Sequence, residues 1–373
     1  MVSSHGGSVE GSSRLAQALG LRHPIVQGPF GGGLSSVALA AAVSSLGGLG
    51  SFGAVNLPAE RIGPLVAELR AATDGPFNVN LWVGDHDPGG LAIAPDAYAR
   101  ALEVLAPYFE ELGVPLPALP SRFHQPFAEQ VEALLAAAPP VFSFVYGVPP
   151  AAVLAECRRR HIFTVGTATT LAEAEALDAA GVDAIVATGM EAGGHRVSFI
   201  GRAEDNLTGT FALTQLVAPR VSVPVIAAGG ICDARGVAAA RLLGADAAQI
   251  GTAFLACNES GATPAHREKL FSADARETVL TRAFTGRLAR GLANRWTREL
   301  HRRAPELPPF PIQSWIAGHL KAAAAAAGRT DLVSMWGGQI APNLVHHTAA
   351  DLMRALTEGV GADPPATTVV EAR

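Results

Sequence analysis

Eight short apolar runs, at 24–27, 49–54, 77–83, 141–146, 162–167, 182–188, 223–228 and 245–250, recur along this chain of 373 residues. The intervening stretches, such as 58–72, 149–160, 171–180 and 234–243, are rich in Ala, Leu, Glu and Arg and read as helices. Strand alternating with helix implies right-handed β-α-β units on a parallel sheet, and eight such units predict an α/β fold of the closed (β/α)8 TIM-barrel type. A parallel strand is covered on both faces, which is why Val182-Asp183-Ala184-Ile185-Val186-Ala187-Thr188 is almost continuously apolar or β-branched. This spacing places 21–257 in the barrel and 1–20 in a disordered or irregular N-terminal tail. It places 258–373, helical and punctuated by proline, in an accessory lid over the barrel mouth that ends in a polar C-terminal tail.

Composition excludes several classes of function. A formal net charge of -5 supplies no basic field for nucleic acid or an anionic membrane. No apolar run is long and glycine-free enough to span a bilayer, and the first 13 residues lack the apolar core of a signal peptide, so a cytoplasmic protein is expected. Cys157, Cys232 and Cys257 are odd in number and without metal spacing, so they are expected as buried thiols. No metal is expected either; His346-His347 has no carboxylate at ligand spacing and reads as a capping or surface pair.

The chemistry concentrates just past the sixth run. Gly189-Met190-Glu191-Ala192-Gly193-Gly194-His195-Arg196 hangs an imidazole after two glycines at a strand's carboxyl end, the face on which parallel α/β proteins bind ligands. The seventh run ends in Gly229-Gly230 and the eighth in Gln249-Ile250-Gly251-Thr252. Glycine-rich turns at those two positions of a barrel commonly hold a phosphate on backbone N–H groups. That phosphate would belong to a flavin mononucleotide or to a phosphorylated substrate, because Gly31-Gly32-Gly33 after the first run lacks the Gly-x-Gly-x-x-Gly spacing and no P-loop is present. Asn80, in Asn78-Val79-Asn80, adds an amide able to hydrogen-bond a polar ring edge.

Taken in order, these motifs resemble the nitronate monooxygenase family, FMN-dependent (β/α)8 barrels also called 2-nitropropane dioxygenases. The resemblance runs from Pro24-Ile25-Val26-Gln27-Gly28-Pro29 through Gly47-Gly48-Leu49-Gly50, Pro76-Phe77-Asn78-Val79-Asn80 and Ala228-Gly229-Gly230-Ile231 to Trp336-Gly337-Gly338-Gln339. It implies that His195 is catalytic and that Asn80, Gly193, Gly194, Gly229, Gly230 and 249–252, including Gln249, Gly251 and Thr252, hold FMN. It also implies that Gly28 and Pro29 form the turn beneath the isoalloxazine and that Gly338 and Gln339 approach the flavin from the lid. Phe30 stands where the family often has Met, Thr188 where a flavin-contacting Gln is common, and Val197 where the motif usually has Gly.

The activity so implied is oxidation of small nitronates or nitroalkanes by O2 to a carbonyl compound and nitrite, with His195 as general base toward a neutral nitroalkane. A homodimer is left open. Two other readings stand beside it: an NAD(P)H-dependent enoyl-acyl-carrier-protein reductase of the related flavin-barrel type, and a noncatalytic flavin-binding barrel. An IMP-dehydrogenase-like barrel would need a nucleophilic thiol on the sixth-strand loop, where none of the cysteines lies. Asp85-His86-Asp87 reads as a solvated loop, the arginines of 282–298 as a salt-bridged helix or subunit surface, and 321–328 as a helix stopped at Gly328.

Overall fold

Each apolar run becomes a parallel strand in the computed structural model, which describes residues 13–358. The strands are β1 (Ile25–Gln27), β2 (Gly50–Gly53), β3 (Phe77–Trp82), β4 (Val141–Val145), β5 (Phe163–Ala168), β6 (Ala184–Thr188), β8 (Val225–Ala228) and β9 (Ala247–Ile250). Their order is β1-β9-β8-β6-β5-β4-β3-β2, and a parallel bridge between Val26 and Leu49 brings the two edges together. There the Gln27 N–H donates to the Leu49 carbonyl and the Leu49 N–H to the Ile25 carbonyl, each at 2.9 Å. The result is the nearly closed TIM barrel that the alternation predicts. Every residue of β4 and β6 is buried, because helices cover one face and barrel side chains fill the other.

The interior layer at the strands' amino ends contains Val141, Val165, Ala184, Ile226 and Ala247, and Leu15 joins it with none of its surface exposed. Leu15 belongs to the helix Arg14–Leu19, which corrects the expectation of a disordered or irregular tail over 1–20. The difference has a local cause: Ser13 caps the helix by accepting from the Ala16 N–H, and Gly20 ends it at φ 67°. Arg14 then locks it to the barrel, its guanidinium 2.9 Å from the Asp246 carboxylate at the foot of β9. The expected disorder of 1–12 and the polar tail of 359–373 lie outside the described residues.

Beyond Cys257 the chain divides instead of forming one accessory body. A three-stranded antiparallel sheet, β10 (Thr278–Thr281), β11 (Ala289–Leu292) and β7 (Gly194–His195), joins this segment to the sixth-strand loop. The helix Ile312–Ala326 packs with Trp296 and with Tyr98, Leu105 and Phe109 of the helix Pro95–Glu111, so this cluster is built from segments far apart in sequence. The last helix, Ala349–Thr357, is no lid. Its Ala349, Leu352, Met353 and Leu356 pack with Leu39, Val43, Val237 and Phe254, completing the outer ring of barrel helices.

Candidate active site

One cavity of about 600 Å³ opens at the carboxyl ends of the barrel strands. Its wall is made of turns that leave those strands, in sequence order. Gly28, Pro29 and Phe30 follow β1, Asn80 and Trp82 come from β3, and Thr188 ends β6. Gly193, Gly194 and His195 come from the next loop, Gly229 and Gly230 follow β8, and Gln249, Gly251 and Thr252 end β9. The structure therefore brings every residue expected at the site to one surface, with one exception. The Gln339 side chain is exposed and lies outside the cavity wall; only its backbone reaches inward, the N–H donating to the Glu191 carbonyl at 3.0 Å. Gly338 does line the cavity, since Trp336-Gly337-Gly338 presents backbone toward it and the next side chain turns away.

His195 is held on a strand instead of a free loop. Its partner is Ala289 of β11, and the neighbouring Arg196 N–H donates to the Leu288 carbonyl at 2.9 Å. The Arg196 guanidinium is buried beneath the loop and donates to the carbonyls of Thr188 (3.0 Å), Gly189 (2.8 Å) and Asn206 (2.9 Å). Glu191 anchors the other side: its carboxylate accepts from the Thr210 N–H and the Thr210 hydroxyl. Gly193 has a packing reason, because a Cβ there would lie 2.6 Å from the Gly338 nitrogen. The loop is thus pinned on one side by Arg196 and on another by Gly337-Gly338.

The imidazole Nε2 lies 2.9 Å from the Thr285 hydroxyl. Trp82 packs on the ring edge-on at a centroid distance of 5.0 Å, and Trp336 lies at 5.1 Å. Burial, reinforced by the positive charges of Arg287 and Lys321, pushes the imidazole down to about 3. The ring is therefore neutral throughout the neutral pH range and a weaker base than the general-base role implied by the resemblance would favour. Lys321 also lines the cavity, and burial lowers its ammonium to about 8.

Arg287 lies in the stretch that reads as a salt-bridged helix or subunit surface, but it is 5% exposed. Its guanidinium carbon lies 3.8 Å from the Tyr146 ring centroid and 4.2 Å from that of Phe310, and its Nε meets Asp87 at 2.8 Å. Arg290 is likewise buried, its Nε donating to the Met190 carbonyl at 2.9 Å. Nothing in the local sequence announces either burial, because their partners lie far away in the chain. The position of Lys321 in a run of alanines gave no chemical signal; Trp82 and Trp336 stood inside legible motifs, yet only the fold sets them on His195. Val197, where the motif departs, lies on the cavity wall.

Among the described residues no cluster of His, Cys, Asp and Glu could hold a metal, and no helix is long and apolar enough to cross a membrane. The three cysteines are buried and unpaired.

A family model described as "Nitronate monooxygenase" matches residues 12–359. A nitronate monooxygenase of Paraburkholderia phytofirmans is 43% identical over 350 residues, covering 93% of this chain and 94% of that protein. One of Pseudomonas aeruginosa is 43% identical over 354 residues, covering 93% and 99%. Among solved structures, a nitroalkane oxidase from Streptomyces ansochromogenes superposes with a TM-score of 0.83 at 37% identity, covering 92% of this chain and 96% of that one.

Proposed function

This chain belongs to the nitronate monooxygenase family, a family of oxidoreductases, and from that premise we propose that it oxidises small alkyl nitronates with O2 at a bound FMN, giving a carbonyl compound and nitrite. The observation that carries this reading is a neutral imidazole facing a glycine-walled cavity whose wall also carries the Lys321 ammonium.

The residues suit a flavin. At Gly251 the place of a Cβ is open space, and Gly230 has φ +71°, so backbone rather than side chain meets whatever lies against these turns. With no lysine or arginine on the turns after β8 and β9 at the cavity wall, a phosphate would be held by N–H groups of 229–230 and 251–252. Gly28, Pro29, Phe30, Asn80 and Thr188 would meet the ring system, and Gly193, Gly194 and Gln249 would complete the wall. When bound, FMN supplies the redox chemistry: it accepts electrons from the substrate and passes them to O2.

The chain's own groups do the rest. Lys321, on the cavity wall, favours an anion there, which is the charge a nitronate carries. Trp82 and Trp336 shield the ring of His195 from water on two sides. His195 is available as a hydrogen-bonding and proton-accepting group, but its lowered basicity weakens it as a base by about 5 kcal/mol relative to a free histidine. Preformed nitronates are therefore the better substrates, and neutral nitroalkanes the poorer ones. The test is nitrite release under air from the anion of nitroethane, without added NADH, by protein whose spectrum carries flavin bands. Colourless protein, or activity that requires NADH and an enoyl thioester, would refute the proposal.

A further inference from the structure

A second cavity, of about 440 Å³, adjoins the first and shares with it Val55, Asn56, Phe310, Ser314 and Gly318. The shared wall is thin for a sequence reason. On the helix Ile312–Ala326 the positions 314, 318 and 322, each one turn from the next, are Ser, Gly and Ala, so this face of the helix carries no bulk. At Gly318 the place of a Cβ has no atom within 4 Å.

Much of the lining is aromatic. Phe123 meets Trp315 edge-on at a centroid distance of 5.7 Å and 85°, and Trp315 meets His319 at 4.6 Å and 75°. The ring centroids of His124 and Phe310 lie 6.5 Å apart. The one carboxylate on this wall, Asp85, is already engaged: His86 Nδ1 lies 2.9 Å from Oδ1, while His124 Nε2 at 3.3 Å and the Phe127 N–H at 3.0 Å address Oδ2. Rings standing on edge around an empty space offer both ring faces and ring edges, the arrangement that a further aromatic ring fills favourably.

We infer that this second cavity is a distal subsite that holds the aryl end of a nitronate whose reacting end lies against His195. The inference rests on the nitronate reading above, which it extends from small alkyl nitronates to ω-phenylalkyl nitronates long enough to cross the Ser314–Gly318 wall. Asp85-His86-Asp87, read from the sequence as a solvated loop, then contributes Asp85 to the substrate-facing surface.

Two measurements on the flavin-loaded protein decide it. Calorimetric titration with uncharged ω-phenylalkanols of increasing length should show affinity rising to an optimum, on the order of tenfold tighter than n-alkanols of equal length. Ala322→Phe, at an exposed position lining only the second cavity, should abolish that preference. The same variant should lower kcat/KM for the long phenylalkyl nitronates about tenfold while leaving that for ethyl nitronate within about twofold. Equal affinity for phenyl and alkyl alcohols would overturn the subsite. So would an equal loss on ethyl nitronate in Ala322→Phe, which would make the cavity an entrance. Should the parent protein oxidise no nitronate at all, the proposed function falls, and the alcohol titrations still decide whether the subsite exists.

Discussion

Replacing His195 by Asn removes a group that the folded protein keeps uncharged, and the consequence for stability can be worked out. The ordinary imidazole value is 6.5 and burial, with Arg287 and Lys321 nearby, lowers it to about 3 in the folded state. Between these values the unfolded chain binds a proton that the folded chain does not, so folding stability falls as pH drops through this window and is fully present above it. At pH 4.5 the unfolded state gains about 3 kcal/mol by protonation, and at pH 7 almost nothing. The wild-type protein should therefore lose about 2–3 kcal/mol on acidification that His195→Asn does not lose. Urea unfolding of both flavin-loaded proteins at the two pH values measures the difference, and groups common to both, such as His266 with its own lowered value, cancel. A wild-type-to-variant gap that is the same at both pH values, within about 0.5 kcal/mol, would refute the neutral, desolvated imidazole on which the proposed chemistry depends. Kinetically, the same substitution should reduce turnover of neutral nitroalkanes on the order of 10²–10⁴-fold and affect preformed nitronates far less.

Gly230→Val places a β-branched side chain at φ +71° against the proposed phosphate site, and it should purify without flavin absorbance; a yellow variant with unchanged FMN content would refute that placement. Lys321, lowered to about 8 by burial, is cationic below that pH and neutral above it, so kcat/KM for a nitronate should fall as pH rises through about 8. Lys321→Met should lack that limb and be on the order of tenfold slower at pH 7, as read from pH–rate profiles. Leu15→Ala opens space among barrel side chains at the end remote from the site, and it should cost about 2–5 kcal/mol in urea unfolding with the flavin spectrum unchanged.

The barrel was legible in the sequence because parallel strands buried on both faces must be written as unbroken apolar runs, whatever their neighbours. The cavity wall was legible for a related reason. Its glycines sit where strands end, and a strand end in a barrel has one destination. What escaped was whatever depends on a distant partner. Nothing in Gly194-His195 says strand; the pairing that makes it one comes from Ala289 and Arg290. Arg287 and Arg290 look like surface charges until Asp87, Tyr146 and the Met190 carbonyl are placed around them. Gln339 shows the converse limit: a motif can place a backbone at a site without saying which way the next side chain points. The helix Arg14–Leu19 was hidden by its shortness, since a single apolar anchor, Leu15, sets no period.

The helix Ala349–Thr357 finishes the outer ring beside Leu39 and Val43, and β11 finishes the sheet that carries His195. A ribosome delivers these parts in the wrong order. All eight barrel strands have been made once Ile250 is added, yet the flank formed by Leu39, Val43, Val237 and Phe254 stays uncovered until the chain has grown past residue 357. At ordinary synthesis rates that interval is roughly 5–20 s, during which a nearly complete barrel shows a bare apolar flank to chaperones and to other nascent chains. A chain stopped within that interval has its strands without the helix that covers this flank.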